Sequence, residues 1–445
     1  MDTVLISRMM IGITLGFHII FATLGVGIPF MILLAEWFGM IRKDPQYSLL
    51  ARRWARGYSI TVAVGVVTGT IIGLQLSLFF PGFMRIAGHV ISLPLFLETF
   101  AFFFEAIFLG IYLYTWDRFK KPVTHLLLLF PVVIGSGLSA FFITTVNAFM
   151  NTPQGFTIRN GVILEIDPLK SMFNPATPTE TTHVIASAYM TCAAVLAAIS
   201  AFYILRGKRI DYYRKALRLT AGTTFVLTLA TSIIGDLSGK FLANQQPEKL
   251  AAAEWLFHSE SPADLLIGGV LDPVTQQVKY GIKIPGLLSF LAHDDFHSKV
   301  IGLNEFPRDL WPPLFVHYLF DLMVSVGIFS AAVTAFFVCI RYLISRLEWN
   351  RWLLRALLIN GPLSMLAIEF GWTYAEIGRQ PWILRGYMKV AEAATTSPQA
   401  GSMLVVFCAL YLVLGILSSY ILMRMASSNP VENEMEKRGV KWNAI

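Results

Sequence analysis

Charge is what this chain has least of. Only 14% of its 445 residues are Asp, Glu, Lys or Arg, against roughly a quarter in an average soluble protein, and 55% are hydrophobic. That balance excludes a soluble globular domain and a disordered chain. Cysteine is nearly missing as well. Cys192, Cys339 and Cys408 each sit inside an apolar run and match no metal-ligand spacing. A disulfide scaffold and a cysteine metal site are therefore excluded, and each thiol is expected to pack as a small hydrophobe. No basic segment precedes the first apolar run, which is too long for a signal peptide, so that run is expected to be retained. No convincing internal repeat is present either, as an inverted-repeat transporter would require.

What the chain has instead is long apolar runs. Nine are read, at 9–34, 55–79, 92–114, 123–149, 179–205, 217–237, 313–340, 353–375 and 402–423. Runs of about 20 residues cross a hydrocarbon core of roughly 30 Å, so the expected fold is an all-α integral membrane protein in a lipid bilayer. Thr177, Pro178 and Glu180 read as a capping box opening the fifth helix.

Lys and Arg alternate between connections. Arg42, Lys43, Arg52, Arg53 and Arg56 follow the first run, and Arg118, Lys120 and Lys121 the third. Arg206, Lys208, Arg209, Arg214, Lys215 and Arg218 follow the fifth, Arg341, Arg346, Arg351 and Arg355 the seventh, and the tail adds four more. The other short connections hold only Arg85, then Arg159 and Lys170, then Arg379, Arg385 and Lys389. The positive-inside rule then predicts the N-terminus outside and the C-terminus in the cytoplasm. It also accounts for the net charge of +7 without nucleic acid as a partner. One outside connection, 238–312, is long, mixed in charge, and rich in Pro and Gly. Long loops of this kind tend to be functional, which makes this one a candidate binding element. Within it, 247–257 has helix-forming residues, and 282–290 reads as an extended piece and a turn.

Residues 371–382, G-W-T-Y-A-E-I-G-R-Q-P-W, end the eighth run on Glu376 and Arg379. Gly378 is free to leave the helical region and Pro381 stops the helix, while Trp372 and Trp382 flank the charges as at a membrane interface. A helix cap with an ion pair and a functional site are both open on this stretch alone.

Ionisable groups inside a membrane are costly, so each one is a functional candidate. The first run carries His18. The third carries Glu98 and Glu105, two helical turns apart on one face, a spacing that suits a proton path or a cation site. His183 lies near the start of the fifth run. Met323 follows His317 and Asp321 in the seventh, and Glu369 and Glu376 end the eighth. A lone methionine is usually core filler, but a His and a Met from different helices can clamp one iron. His317 and Asp321, four apart, are placed to pair.

With these residues in view, the chain resembles subunit I of cytochrome bd quinol oxidase, in its short-loop form, over nearly its whole length. The resemblance rests on the nine spans, the outside loop, G-R-Q-P-W at 378–382, K-L-A-A-A-E at 249–254, F-L-E at 96–98 and Ser7–Arg8 ahead of His18. It implies one membrane domain, 1–445, with 238–312 as a quinol-binding loop, in a bacterial cytoplasmic membrane. It also implies three haems: a low-spin haem b on His183 and Met323, and a high-spin haem b and a haem d served by His18 and Glu376, in either assignment. Arg379 and Trp372 would contact the cofactors, and Glu98 and Glu105 would lie beside the high-spin pair as haem neighbour and proton conduit, with Ser139 on that path. Lys249 and Glu254 would bind quinol and accept its protons. The implied reaction oxidises membrane quinol outside and reduces dioxygen to water with cytoplasmic protons, building a gradient without pumping. A homologous subunit II and a small single-span subunit are the implied partners. Asp321 departs from family members that carry arginine there. The alternatives are a haem quinol oxidoreductase that does not reduce oxygen and a proton-coupled secondary transporter.

Overall fold

The computed structural model describes residues 2–159, 162–208, 211–344 and 347–440. Arg209 and Arg346 of the basic connections lie outside the described residues. Among those described, nine helices are long and apolar enough to cross a membrane. They are α1 (Thr3–Arg42), α2 (Pro45–Phe79), α3 (Pro81–Tyr114), α4 (Pro122–Asn151), α5 (Thr177–Leu205) and α6 (Asp211–Gln245), then α9 (Val316–Leu343), α10 (Arg351–Ile377) and α11 (Ala400–Ser428). Short helices α7 (Pro247–Ala253) and α8 (Leu287–His293) lie between α6 and α9, and α12 (Val431–Lys437) follows α11.

The helices outrun the predicted spans because helical hydrogen bonding continues where hydropathy falls. In α2, Asp44 caps the helix by accepting from Gln46 N at 3.0 Å, so Arg52, Arg53 and Arg56 sit on the helix itself rather than in a loop. Likewise α6 extends through Gln245, which moves the start of the connection well past 238. The predicted capping box does not form. The fifth helix opens after Ala176, Thr177 Oγ1 donates to Met172 O at 2.5 Å, and Glu180 accepts from Asn151 Nδ2 at 3.1 Å. Buried partners in the neighbouring helix outcompete the local cap. Only Cys192 packs as expected, buried with Sγ against Thr23 O; Cys339 is exposed and Cys408 half-buried.

Packing divides the spans into two groups. α1 lies along α2, and α3 along α4. α5 lies along α6 and α10, and α9 along α10 and α6. α1 also packs on α5 and joins the groups.

Strands β1 (Thr157–Arg159) and β2 (Val162–Leu164) pair antiparallel between α4 and α5. The long connection is folded. In it β3 (Leu265–Ile267) and β6 (Ile282–Ile284) pair antiparallel, and inside them β4 (Val270–Asp272) pairs with β5 (Gln277–Lys279). The two ladders form one long hairpin interrupted at Gly268 and Gly269, both at positive φ, where glycine avoids a Cβ clash. After β6, where a turn was predicted, the chain makes the short helix α8. Leu250, Trp255, Phe257, Leu266, Leu288 and Val300 form a core under this region, which is why it holds a shape without spanning the membrane.

Candidate functional site

Lys249 stands on α7, whose Pro247 fits the first turn where no N–H is needed. The helix is buried, and Lys249 Nζ donates to the carbonyl of Ala375 at 3.2 Å and lies 5.1 Å from the centre of the Tyr374 ring. Burial pulls its pKa down to about 8, with the Glu180 carboxylate opposing the fall and the Arg379 guanidinium adding to it. Glu254 follows the C-terminal end of α7. Burial pushes its pKa up to about 8, helped by the Asp321 carboxylate, and its Oε2 is buried without a partner. An amine and a carboxyl that both exchange protons near pH 8 therefore lie on one short helix and at its C-terminal cap, at the mouth of the long connection.

His317 and Asp321 lock that connection to α9. His317 is fully buried, with Nδ1 2.6 Å from Ala253 O and Nε2 3.2 Å from Gly268 O. Carbonyls only accept, and a ring that donates at both nitrogens is an imidazolium, here beside the Asp321 carboxylate. Asp321 Oδ2 accepts from Gly268 N at 2.6 Å and lies 3.3 Å from His317 Nε2, the pairing the four-residue spacing predicted. Trp255 stacks on the imidazole at 4.0 Å. The residue where this chain departs from its resemblance is thus a fastener for the hairpin.

At the end of α10, Glu376 and Arg379 form an ion pair of 2.6 Å through Oε2 and Nη2, while Asn147 Nδ2 donates to Glu376 Oε1. The pair is local, as a cap would have it, but it is not a surface pair. Arg379 is buried, and its Nε and Nη1 have no partner. Leaving such N–H groups unmet costs about 1–3 kcal/mol each, more when charged, so the guanidinium is shaped for an anionic oxygen pair such as a propionate. Gly378 does not leave the helical region, at φ −66° and ψ −12°. Its reason is closeness: a Cβ there would stand 2.6 Å from Tyr374 O and 2.8 Å from Lys249 Cε. Trp372 lies half-buried on α10 beside Gly371.

The four implied iron ligands show matching local features. Thr68 Oγ1 sits 2.8 Å from His18 Nδ1 and gives its own proton to Val64 O at 2.9 Å. His18 must then donate through Nδ1, which leaves Nε2 with a free lone pair, the state in which a histidine binds metal. His183 has Nδ1 buried without a partner and faces Gly235 of α6, where a Cβ would lie 3.6 Å from its Cε1. Met323 faces Gly371 of α10, where a Cβ would come within 2.9 Å of Sδ. Glycines opposite both side chains let the imidazole and the thioether lie close against the backbone of the neighbouring helices. Glu376 keeps a lone pair on each oxygen beyond its two hydrogen bonds. This donor set fits haem.

Glu98 and Glu105 share one face of α3 toward α4 and α2. Ser139 Oγ donates to Glu98 Oε1 at 2.9 Å, and the Tyr58 hydroxyl donates to buried Glu105. Gly135 of α4 allows the close approach, since a Cβ there would meet Glu105 Cβ at 3.0 Å. Sequence reasoning passed over Tyr58, Asn147 and Asn151 and took Glu180 only as a cap; Asn151 Nδ2 reaches Asn147 Oδ1 at 3.0 Å and Glu180 Oε1 at 3.1 Å. The available signal was two asparagines four apart inside an apolar run.

Residues 6–430 match the family model for cytochrome bd terminal oxidase subunit I. A Bacillus subtilis (strain 168) cytochrome bd menaquinol oxidase subunit I is 42% identical over 98% of this chain and 99% of its own length. The cytochrome bd ubiquinol oxidase subunit 1 of the same organism is 32% identical, covering 95% and 93%. The solved structure of bd oxidase from Geobacillus thermodenitrificans has a chain 57% identical, with TM-score 0.92 over 96% of this chain and 99% of that one. The secondary-transporter alternative falls with these matches. Fold and relatives agree, and the chain belongs to the cytochrome bd terminal oxidase subunit I family.

Proposed function

We propose that this chain is the haem-bearing subunit of a terminal respiratory oxidase that oxidises a membrane quinol and reduces dioxygen to water. The observation that carries the reading is the contact of Lys249 with Ala375. It seats the helix proposed to bind quinol against the helix that carries Glu376 and Arg379. His183 and Met323 would hold a low-spin haem b, His18 and Glu376 would serve a high-spin haem b and a haem d, and Arg379 with Trp372 would hold cofactor edges. Haem held in these places would supply one-electron transfer and binding of dioxygen.

The chain's own residues handle the protons. Lys249 orients the quinol headgroup by donating from its ammonium, and Glu254 accepts a quinol proton when ionised. On the other branch, Glu98 and Glu105 hold protons for water formation, each fixed by a hydroxyl donor, from Ser139 and Tyr58. Release of quinol protons outside and uptake from the cytoplasm give a gradient without pumping, with the N-terminus and the 238–312 loop outside. A homologous subunit II and a small single-span subunit complete the proposed enzyme.

The absorption spectrum of the purified, cofactor-replete protein tests this. Haem b bands with a chlorin band are expected. A folded preparation without haem overturns the reading, and haem b alone with no oxygen uptake points to a quinol oxidoreductase of another kind.

A further inference from the structure

One face of the hairpin in the long connection is apolar and left uncovered by the rest of the chain. In its outer ladder Leu265 stands opposite Ile284 and Ile267 opposite Ile282, so four aliphatic side chains share one face. Leu266, on the other face, is buried in the core beneath. Ile282 is 64% exposed, and Ile267 and Ile284 are exposed beside it. Tyr280, at the waist between the two ladders, is 91% exposed and stands at φ 60°. A bulky side chain rarely accepts that left-handed backbone, and such exposure leaves no packing within the chain to offset it.

The height of this face is set by α9. Asp321 is the last charged residue before Arg341, and the 19 residues between them carry no charge. At 1.5 Å per residue that stretch is about 28 Å long, close to the roughly 30 Å of a hydrocarbon core. Asp321 therefore marks where α9 leaves the hydrocarbon, and its carboxylate holds Gly268 N at 2.6 Å. The waist of the hairpin lies at that level. It also lies on the lipid side: the Tyr318 hydroxyl donates to Gly269 O at 3.0 Å, and Tyr318 and Leu322, one turn apart on α9, are both exposed.

We propose that the hairpin is seated in the membrane surface, with Ile267, Ile282, Ile284 and Tyr280 resting in the lipid interface at that end of α9. Each residue suits the place. Aliphatic side chains gain by leaving water for the acyl-chain boundary, and tyrosine is favoured among headgroups, where its ring is covered and its hydroxyl stays wet. Lys279 and Lys283, exposed next to these residues in sequence, have the reach to set their ammonium groups against lipid phosphates. The bilayer supplies the cover that the chain does not. On the inner side, Leu266 N donates to the Glu254 carboxyl. Lipid contact at Ile267 thus begins one residue from a backbone group that holds Glu254.

A bimane fluorophore on Ile282→Cys reads the surroundings of this face. The background is Cys339→Ala with Cys408→Ala, which removes the two thiols that are not buried. The oxidase with all its subunits is held in nanodiscs of phosphatidylcholine and phosphatidylglycerol, so that both membrane faces meet the solution. A nitroxide carried near the headgroup end of a lipid chain should quench the label strongly. Aqueous iodide should quench it about fivefold less than the same label on Val274→Cys, at the solvent-facing tip. Equal iodide quenching at the two positions overturns the membrane seat. Protection from both quenchers also overturns it, and places a protein partner on this face instead. Should the Ile282 variant fail to assemble, Tyr280→Cys carries the same label and the same outcomes.

Discussion

Lys249 donates to the main-chain carbonyl of Ala375, the residue immediately before Glu376. A side chain from the connection between α6 and α9 therefore fixes the last turn of α10. The residues proposed for substrate and those proposed for cofactor thus meet in one hydrogen bond, and the proposed function predicts how each side responds to change.

Quinol oxidation should have a bell-shaped pH profile. Glu254 can accept a proton only when ionised, so the rate should rise as pH climbs toward about 8, where burial has pushed its pKa. Lys249 carries its charge only below about 8, to which burial has pulled it, so the rate should fall above that pH. Steady-state oxygen uptake across pH checks this. Glu254→Gln should remove the rising limb and Lys249→Met the falling one, and profiles unchanged in shape would refute the assignment.

Met323→Leu should leave the protein inserted, with its other haem bands, but without the six-coordinate low-spin signature, since leucine offers no ligand atom. The reduced-minus-oxidised spectrum reads this directly. An intact low-spin band would show that another residue holds that iron.

Gly378→Ala puts a methyl group against Tyr374 O and the Lys249 stem. The clash should cost about 1–3 kcal/mol and lower quinol turnover, because the Lys249 contact must shift. Gly12, with nothing within 4 Å of a built Cβ, is the control, and Gly12→Ala should be near neutral. Thermal unfolding with oxygen uptake distinguishes the two.

His317→Leu strands the carbonyls of Ala253 and Gly268 in a buried setting, at about 1–3 kcal/mol apiece. The hairpin should loosen while the haems stay. A raised KM for quinol and faster protease cleavage within 262–286, with an unchanged haem spectrum, is the expected pattern. Wild-type KM and cleavage would mean the fastener is not needed.

The membrane architecture was legible because hydrocarbon imposes a simple rule: apolar runs of sufficient length become helices, and nine runs became nine helices among the described residues. The ends were not, since a helix leaving the membrane is held by caps and partners such as Asp44 and Asn151 rather than by hydropathy. Gly378 shows a similar limit. Its sequence context reads as a turn, while its structural reason is a lysine stem from a distant segment. The loop was harder still. Its shape comes from long-range contacts of His317, Asp321 and Trp255 that no local pattern displays. The titratable residues themselves stood out, because a membrane interior makes each of them conspicuous.

The nested hairpin has one more consequence. It is bolted down at Gly268, between its two ladders, by Asp321, whereas its tip around Val274 faces open solvent. Length is therefore cheap at the tip of this element and expensive at Gly268. Extra residues, a reporter peptide or a fluorophore placed near Val274 would ride outside the enzyme, while a single insertion beside Gly268 would uncouple the whole appendage from the bundle.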